Sequence, residues 1–307
     1  MTAEVWPVTD TFAAEIGDVD LSCPLSSDDW ETIAQAYDAY SVLIFPDQHL
    51  SQGQHVAFAE RFGPIDRSMV QQMDGVDRSR IPPEIADVSN LDPDGNVLAA
   101  DDRLLAFQRA NRLWHSDSSF KFVPANASVL YLRAIPPVGG MTEFADMRSA
   151  WDALADEVRD KIIGRVARHS IATSRARLGF DMSEAERAQY PAVPQALVRT
   201  HRTGRRSIYV ASHAGSIVGM DQAEAEALID YLIEHATQRQ FVHSHRWRAN
   251  DLVVWDNTAT MHRGRPFDDV RWPRDAQRAT SLDVGNTVIQ EGLVMPAEFA
   301  PTPVPTG

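Results

Sequence analysis

Apolar residues fall mostly into short runs separated by polar stretches rich in Gly and Pro, the pattern of many short strands with few helices between them. Ser41–Phe45 reads as a buried strand stopped by Pro46. Further strands are predicted at Ser128–Leu132, Met141–Phe144, Leu197–Thr200, Ser207–Val210, Phe241–Trp247, Leu252–Trp255 and Ala279–Val284. Helical spacing interrupts this at Asp221–Ala236, where Ala225, Leu228, Ile229 and Leu232 recur at i, i+3, i+4 and i+7. Helices are also predicted at Met147–Leu154 and Asp156–Val166. Near the N-terminus, Ser26 followed by acidic residues opens a helix to about Tyr40, and Ser51 caps one through Gln54–Phe62, closed by Gly63-Pro64. The expected fold is mainly β with flanking helices, a sandwich or jelly roll and not a parallel α/β sheet.

Two stretches resist this patterning. Residues 66–112 are polar, with one strand expected at Ile85–Val88, and they run directly into a candidate metal motif. A long segment of this kind inside a domain is usually functional, so 66–112 is expected to be an active-site lid. Residues 172–194 are expected to be a second loop insertion. The whole chain, 1–307, is expected to be one domain.

Composition narrows the class. The formal net charge of −14 argues against nucleic acid and anionic membrane as partners. Lys121 and Lys161 are the only lysines, so positive charge is nearly all Arg, which suits recognition of carboxylates better than Schiff-base chemistry. A single cysteine, Cys23, excludes an internal disulfide and a thiolate metal cluster. No secretory signal and no membrane-spanning run is evident, and a cytoplasmic enzyme is expected.

The candidate chemistry lies in two short segments, Trp114-His-Ser-Asp117 and Thr260-Met-His-Arg263. His115 and Asp117 are two apart and would share one face of a strand. Alone, the pair carries little weight. With His262, which follows the apolar strand Leu252–Trp255, it forms two imidazoles and a carboxylate, a set that suits Fe(II) with open positions for further ligands. Zinc accepts the same donors, but no His-Glu-x-x-His accompanies them, which disfavours a zinc hydrolase. A non-catalytic binding module is the third reading. His201 and His213 could line the pocket but are expected mainly in polar packing, His243 and His245 at the surface, and Trp114 and Phe120 either in the core or on a cavity wall.

These motifs resemble the Fe(II)/2-oxoglutarate-dependent dioxygenases, in the branch that contains taurine dioxygenase and 2,4-dichlorophenoxyacetate dioxygenase. The resemblance runs nearly end to end, through Ile16–Leu21, Val42–Pro46, Phe58–Gly63, Leu113–Phe120, Gly139–Met147, Trp255-Asp-Asn257 and His262–Arg265. Trp114–Phe120, Thr142–Arg148, Glu234–Arg239 and His262–Arg265 are most similar to the aryloxyacetate-degrading subgroup. The resemblance implies a double-stranded β-helix (jelly roll, cupin-like), with Fe(II) on His115, Asp117 and His262. It implies that Arg274, helped by Thr142, anchors the distal carboxylate of 2-oxoglutarate. Arg278 would grip the anionic group of the prime substrate, and Asn111 would line the pocket. The implied cofactors are Fe(II), 2-oxoglutarate and O2. The implied partners are a small anionic substrate and further copies of the chain. The implied reaction hydroxylates the carbon beside the ether oxygen of an aryloxyalkanoate, giving a phenol, glyoxylate, succinate and CO2, with a role in herbicide breakdown. A sulfonate such as taurine, a phenoxypropionate or another small carboxylate is the alternative substrate.

Overall fold

The computed structural model describes residues 2–67, 80–179 and 182–300. Its strands begin with β1 (Glu4–Pro7), β2 (Ala13–Gly17), β3 (Val42–Phe45), β4 (Ile85–Asp87), β5 (Ala125–Ala134) and β6 (Thr142–Asp146). They continue with β7 (Val166–His169), β8 (Val193–Ala196), β9 (Val198–Thr200), β10 (Arg206–Ile208) and β11 (Ala214–Ile217). The last four are β12 (Val242–His245), β13 (Leu252–Asp256), β14 (Thr260–Gly264) and β15 (Asp275–Leu282). The major sheet has the order β1-β2-β3-β13-β5-β15-β4, and β12-β6-β14 forms a smaller antiparallel sheet. The fold is the expected mainly-β jelly roll with flanking helices.

Alternation along the central strands divides the core. Val42 and Ile44 on β3, Leu130 and Leu132 on β5, and Val253 and Trp255 on β13 share a buried cluster with Phe144 of the smaller sheet. Their neighbours Leu43, Phe45, Val129, Tyr131, Leu252 and Val254 point the other way, onto α1 (Ser27–Tyr40) and α2 (Gln52–Ala59). Period two therefore explains why these strands read as continuous apolar runs: both faces are covered. Ser26 accepts the Asp29 amide and Ser51 completes a capping box with Gln54, as their positions implied.

Several boundaries differ from expectation. The helix predicted over Asp156–Val166 ends at Ile162, because Gly164 takes φ +71 and the chain turns directly into β7. The last long strand spans Asp275–Leu282 rather than Ala279–Val284. Residues 66–112 hold the expected strand as β4, but also α3 (Arg103–Gln108) and a 3-10 turn over Arg109–Arg112. Residues 172–194 are no plain loop: α4 (Ile171–Ala176), α5 (Glu184–Gln189) and the start of β8 occupy the described part, and residues 68–79 and 180–181 of the two insertions lie outside the described residues. Strands β7, β8 and β11 are short and carry Arg, His, Pro and Gly, which conceals them from any periodicity.

The histidines buried in this core set an acid limit on stability. His55 on α2 is wholly buried with Nε2 2.9 Å from the Val129 carbonyl, and burial lowers its pKa from 6.5 to about 4. His169 on β7 is likewise buried, and its pKa falls to about 3. Both stay neutral when folded, whereas the unfolded chain takes up protons near pH 6.5. Their contribution is therefore intact above that pH and is lost as pH falls toward 4 and 3. For His55 this amounts to as much as about 3 kcal/mol. Urea unfolding at stepped pH should show stability dropping through this window, with a shallower slope in His55→Gln. Parallel slopes in the two proteins would remove His55 from the explanation.

Candidate active site

The site sits between the two sheets, where the Leu113–Phe120 segment meets β14 at the edge of the smaller sheet. The Trp114–Asp117 stretch is not the strand its sequence implied. His115 makes one antiparallel bridge with His262 of β14, with His115 N to His262 O at 3.0 Å and His262 N to His115 O at 2.8 Å. Asp117 already lies in the following turn, where Ser118 takes φ +50. The side chains converge all the same, because the bridge puts the two histidines opposite each other and the turn folds Asp117 back beneath them. One ligand atom from each of His115, Asp117 and His262 lies within 4.8 Å of the others, and all three residues are buried.

Hydrogen bonds fix the side chains of His115 and Asp117. His115 Nδ1 is 2.8 Å from the Leu113 carbonyl, so Nδ1 carries the proton and Nε2 keeps a lone pair facing Asp117 at 3.7 Å. His262 Nε2 is 3.5 Å from the other Asp117 oxygen. Ser128 of β5 donates to Asp117 Oδ2 at 2.7 Å and Arg278 Nη1 donates to Oδ1 at 2.5 Å. Burial works to raise the Asp117 carboxyl, but Arg278, His262, His115 and Ser128 outweigh it and hold the group below the usual carboxylate range. Burial pushes both imidazoles down, His262 well below its ordinary value. One carboxylate and two neutral imidazoles with open lone pairs are what a divalent metal ion requires. The residues fit Fe(II).

Two lobes meet at the trio. The first is lined by Thr142, Trp255, His262, Arg265 and Arg274 among others. The second is walled by Ala86, Ala110, Phe120, Ile171, Arg175 and His213. Val88, Gln108, Asn111, His115 and Arg278 border both.

Arg274 immediately precedes β15, whose first two residues, Asp275 and Ala276, carry a bulge, so strand alternation does not aim it. Asn90 does. Its amide donates to the Asp269 and Trp272 carbonyls at 2.7 and 2.9 Å, and its oxygen accepts the Arg274 backbone N–H at 2.7 Å. The Arg274 guanidinium donates to the Val88 carbonyl at 3.1 Å and has no carboxylate within salt-bridge distance among the described residues. Burial lowers its pKa to about 10. A desolvated cation without a counter-charge is costly unless an anion joins it. Nearby, Trp247 Nε1 donates to Thr142 Oγ1 at 3.0 Å, which leaves the Thr142 hydroxyl proton free to donate. Gly139 and Gly140 take positive φ just ahead of Thr142, and a Cβ on Gly139 would meet the Pro266 carbonyl at 2.5 Å.

The structure thus brings His115, Asp117, His262, Thr142, Arg274, Arg278 and Asn111 around one cavity system. It adds Asn90, Ser128 and Asn257, whose positions no spacing in the sequence marked; only Asn257 lay in a quoted motif. The described part of residues 66–112 touches both lobes, and Arg109 and Arg112 fasten it to Asp269 at 3.3 and 2.6 Å. His213 is not mere packing: it lines the second lobe, with Ser119 Oγ 3.1 Å from Nδ1 and the Phe120 ring centroid 4.9 Å away. His201, bonded to Ser207 at 2.8 Å, borders neither lobe. Trp114 lies under the Arg263 guanidinium, against the core. His245 is no surface histidine; it is buried and its Nε2 is 3.0 Å from Asp251.

Comparison with known proteins follows the same line. Residues 4–280 match the family model described as taurine catabolism dioxygenase TauD, TfdA family. The alpha-ketoglutarate-dependent 2,4-dichlorophenoxyacetate dioxygenase of Cupriavidus pinatubonensis is 43% identical, over 90% of this chain and 96% of its own. The (S)-phenoxypropionate/alpha-ketoglutarate-dioxygenase of Sphingobium herbicidovorans is 35% identical, over 86% and 90%. A crystal structure of AAD-2 in complex with Mn(II) and N-oxalylglycine is 43% identical, covers 94% of this chain and 99% of that one, and superposes with a TM-score of 0.85.

Proposed function

The chain belongs to the TauD/TfdA dioxygenase family, and from that membership we propose that it hydroxylates an aryloxyalkanoate such as 2,4-dichlorophenoxyacetate. It is an oxidoreductase that uses Fe(II), 2-oxoglutarate and O2. We assign Fe(II) to His115, Asp117 and His262, and 2-oxoglutarate to the lobe of Arg274 and Thr142. The second lobe takes the prime substrate. The observation that carries the substrate reading is the pairing, in that lobe, of an apolar wall (Ala86, Ala110, Phe120, Ile171) with the guanidinium of Arg278. An aryl ring fits the wall and a carboxylate fits the cation. Identity to the 2,4-dichlorophenoxyacetate enzyme adds support.

When bound, Fe(II) supplies the activation of O2 that couples decarboxylation of 2-oxoglutarate to hydroxylation of a C–H bond. The protein's part is placement. Arg274 and Thr142 donate to the distal carboxylate, which sets how far the keto-acid end reaches toward the trio. Arg278, bordering both lobes, holds the substrate carboxylate so that the methylene between it and the ether oxygen faces the trio. Misplacement by an ångström costs roughly a hundredfold in rate. Trp255 and Leu130 on one side, and Phe120 and Ile171 on the other, keep the reacting centre apolar. Hydroxylation of that methylene gives a hemiacetal, which collapses to a phenol and glyoxylate.

The whole chain is proposed to act as one domain, with 66–112 as its lid; the family match over residues 4–280 supports this. A homo-oligomer in the cytoplasm completes the proposal, supported by exposed apolar side chains such as Val284 and Val294. Among the described residues no helix is long and apolar enough to cross a membrane.

A panel of aryloxyacetates, phenoxypropionates and sulfonates, scored by succinate formed above the uncoupled background, tests the substrate class. Aryloxyacetates should rank first; a sulfonate ranking first would transfer the site to the alternative. Arg278→Ala should raise KM for the aryloxyacetate by thirtyfold or more, about 2 kcal/mol for a lost charged partner, and change 2-oxoglutarate affinity far less. Equal losses for both ligands would reject the division of labour between the two arginines.

A further inference from the structure

We propose that Asn257 and Ser128 are positioning residues that hold Asp117 ready for the metal through a one-way chain of hydrogen bonds. The inference rests on the reading of Asp117 as a metal ligand. Its parts lie on different elements: Asn257 in the turn between β13 and β14, Ser128 on β5 opposite Trp255, and Asp117 in the turn after His115.

No hydrogen need be seen to fix the direction of this chain. The Trp255 indole N–H and the Asp117 backbone N–H can only donate, and both end on the same side-chain atom of Asn257, each at 3.1 Å. That atom is therefore the amide oxygen. The Asn257 nitrogen must then donate, and it faces Ser128 Oγ at 2.9 Å. Having accepted there, the Ser128 hydroxyl spends its one proton on Asp117 Oδ2, 2.7 Å away. Asn257 and Ser128 are fully buried and Trp255 nearly so, so water does not compete at any link.

Two consequences follow. Asp117 Oδ2 always meets a donor, so the plane of its carboxyl group is fixed. The same asparagine also ties the neighbouring residue, because its backbone carbonyl accepts the Ser116 hydroxyl at 2.7 Å. Asn257 thus fastens the segment carrying His115 and Asp117 to the turn that leads into the His262 strand. One residue sets the relation between all three ligands, which is how outer partners tune metal affinity.

Calorimetric titration of the metal-free protein with Mn(II), with thermal unfolding measured alongside, separates this role from a merely structural one. Ser128→Ala should bind Mn(II) roughly 10–100-fold more weakly while its thermal transition stays cooperative. Asn257→Asp keeps the acceptor for Trp255 and Asp117 but turns an oxygen toward Ser128, drawing that proton away from Asp117. Its added charge acts in any background, whereas the reversal needs the Ser128 hydroxyl. In a double-mutant cycle the two changes should therefore be strongly non-additive, with Asn257→Asp far more harmful when Ser128 is intact than in the Ser128→Ala background. Additive effects, or wild-type affinity in Ser128→Ala, would overturn the chain of bonds. A wild-type protein that binds no Mn(II) would instead overturn the metal assignment itself.

Discussion

Asp117→Ala is expected to abolish metal binding and turnover together while leaving the fold intact. Asp117 is the one anionic donor in the trio, and without it two neutral imidazoles face a divalent cation with no charge to balance it. The loss should exceed the roughly 10–100-fold cost of removing an outer partner, because a ligand itself is gone. The change also strips Arg278 of the carboxylate it holds at 2.5 Å and Ser128 of its acceptor at 2.7 Å. Those costs fall on local order around the cavity, because the core clusters on either side of the major sheet contain neither residue. Metal titration by calorimetry, with circular dichroism as the control for folding, checks this. Retained tight binding of Mn(II) by a folded Asp117→Ala protein would place the metal elsewhere.

Arg274→Met should have the second largest effect, and a different one. The guanidinium is half-buried, bonded to the Val88 carbonyl, and without a carboxylate among the described residues. An arriving 2-oxoglutarate carboxylate would meet a cation already desolvated, so little further cost offsets the bond. Truncating one partner of such a pair typically costs about 2–5 kcal/mol, or roughly thirtyfold to more than a thousandfold in affinity. Methionine keeps much of the apolar volume, so metal affinity and thermal stability should stay near wild type. Raising 2-oxoglutarate should restore much of the rate, as an increase in KM and not a loss of kcat. A fall in kcat with KM unchanged would mean that Arg274 acts on the reacting centre and not on the co-substrate's far end.

The candidate metal trio was more legible than much of the fold around it, for a physical reason. Metal ligands are fixed by chemistry to a few residue types, so His115, Asp117 and His262 stand out together, whereas Arg274 and Arg278 were marked by the resemblance to the family. The central strands β3, β5 and β13 are buried on both faces and were equally plain as apolar runs. Strands β7, β8 and β11 were not, because pairing and burial from distant segments make them strands despite polar sequences such as Val193-Pro-Gln-Ala196. Geometry also departed from the simplest reading. His115 and Asp117 meet through a bridge and a turn, not by strand alternation, and Arg274 is aimed by Asn90 beside a bulge. Asn90 and Ser128 left no trace in the sequence because their work is done by contacts 184 and 11 residues away. His213 shows the reverse case, a residue visible as a histidine whose place on the cavity wall only the folded chain reveals.

One spectrum bears on all of this at once. Under anaerobic conditions, Fe(II) and 2-oxoglutarate are added to the metal-free protein and the visible absorption is recorded. A charge-transfer band from the Fe(II) chelate should develop with saturation, require both additions, be absent in Asp117→Ala, and need far more 2-oxoglutarate in Arg274→Met. No band in the wild-type protein, or an undiminished band in Asp117→Ala, would mean that His115, Asp117 and His262 do not hold the iron to which 2-oxoglutarate binds.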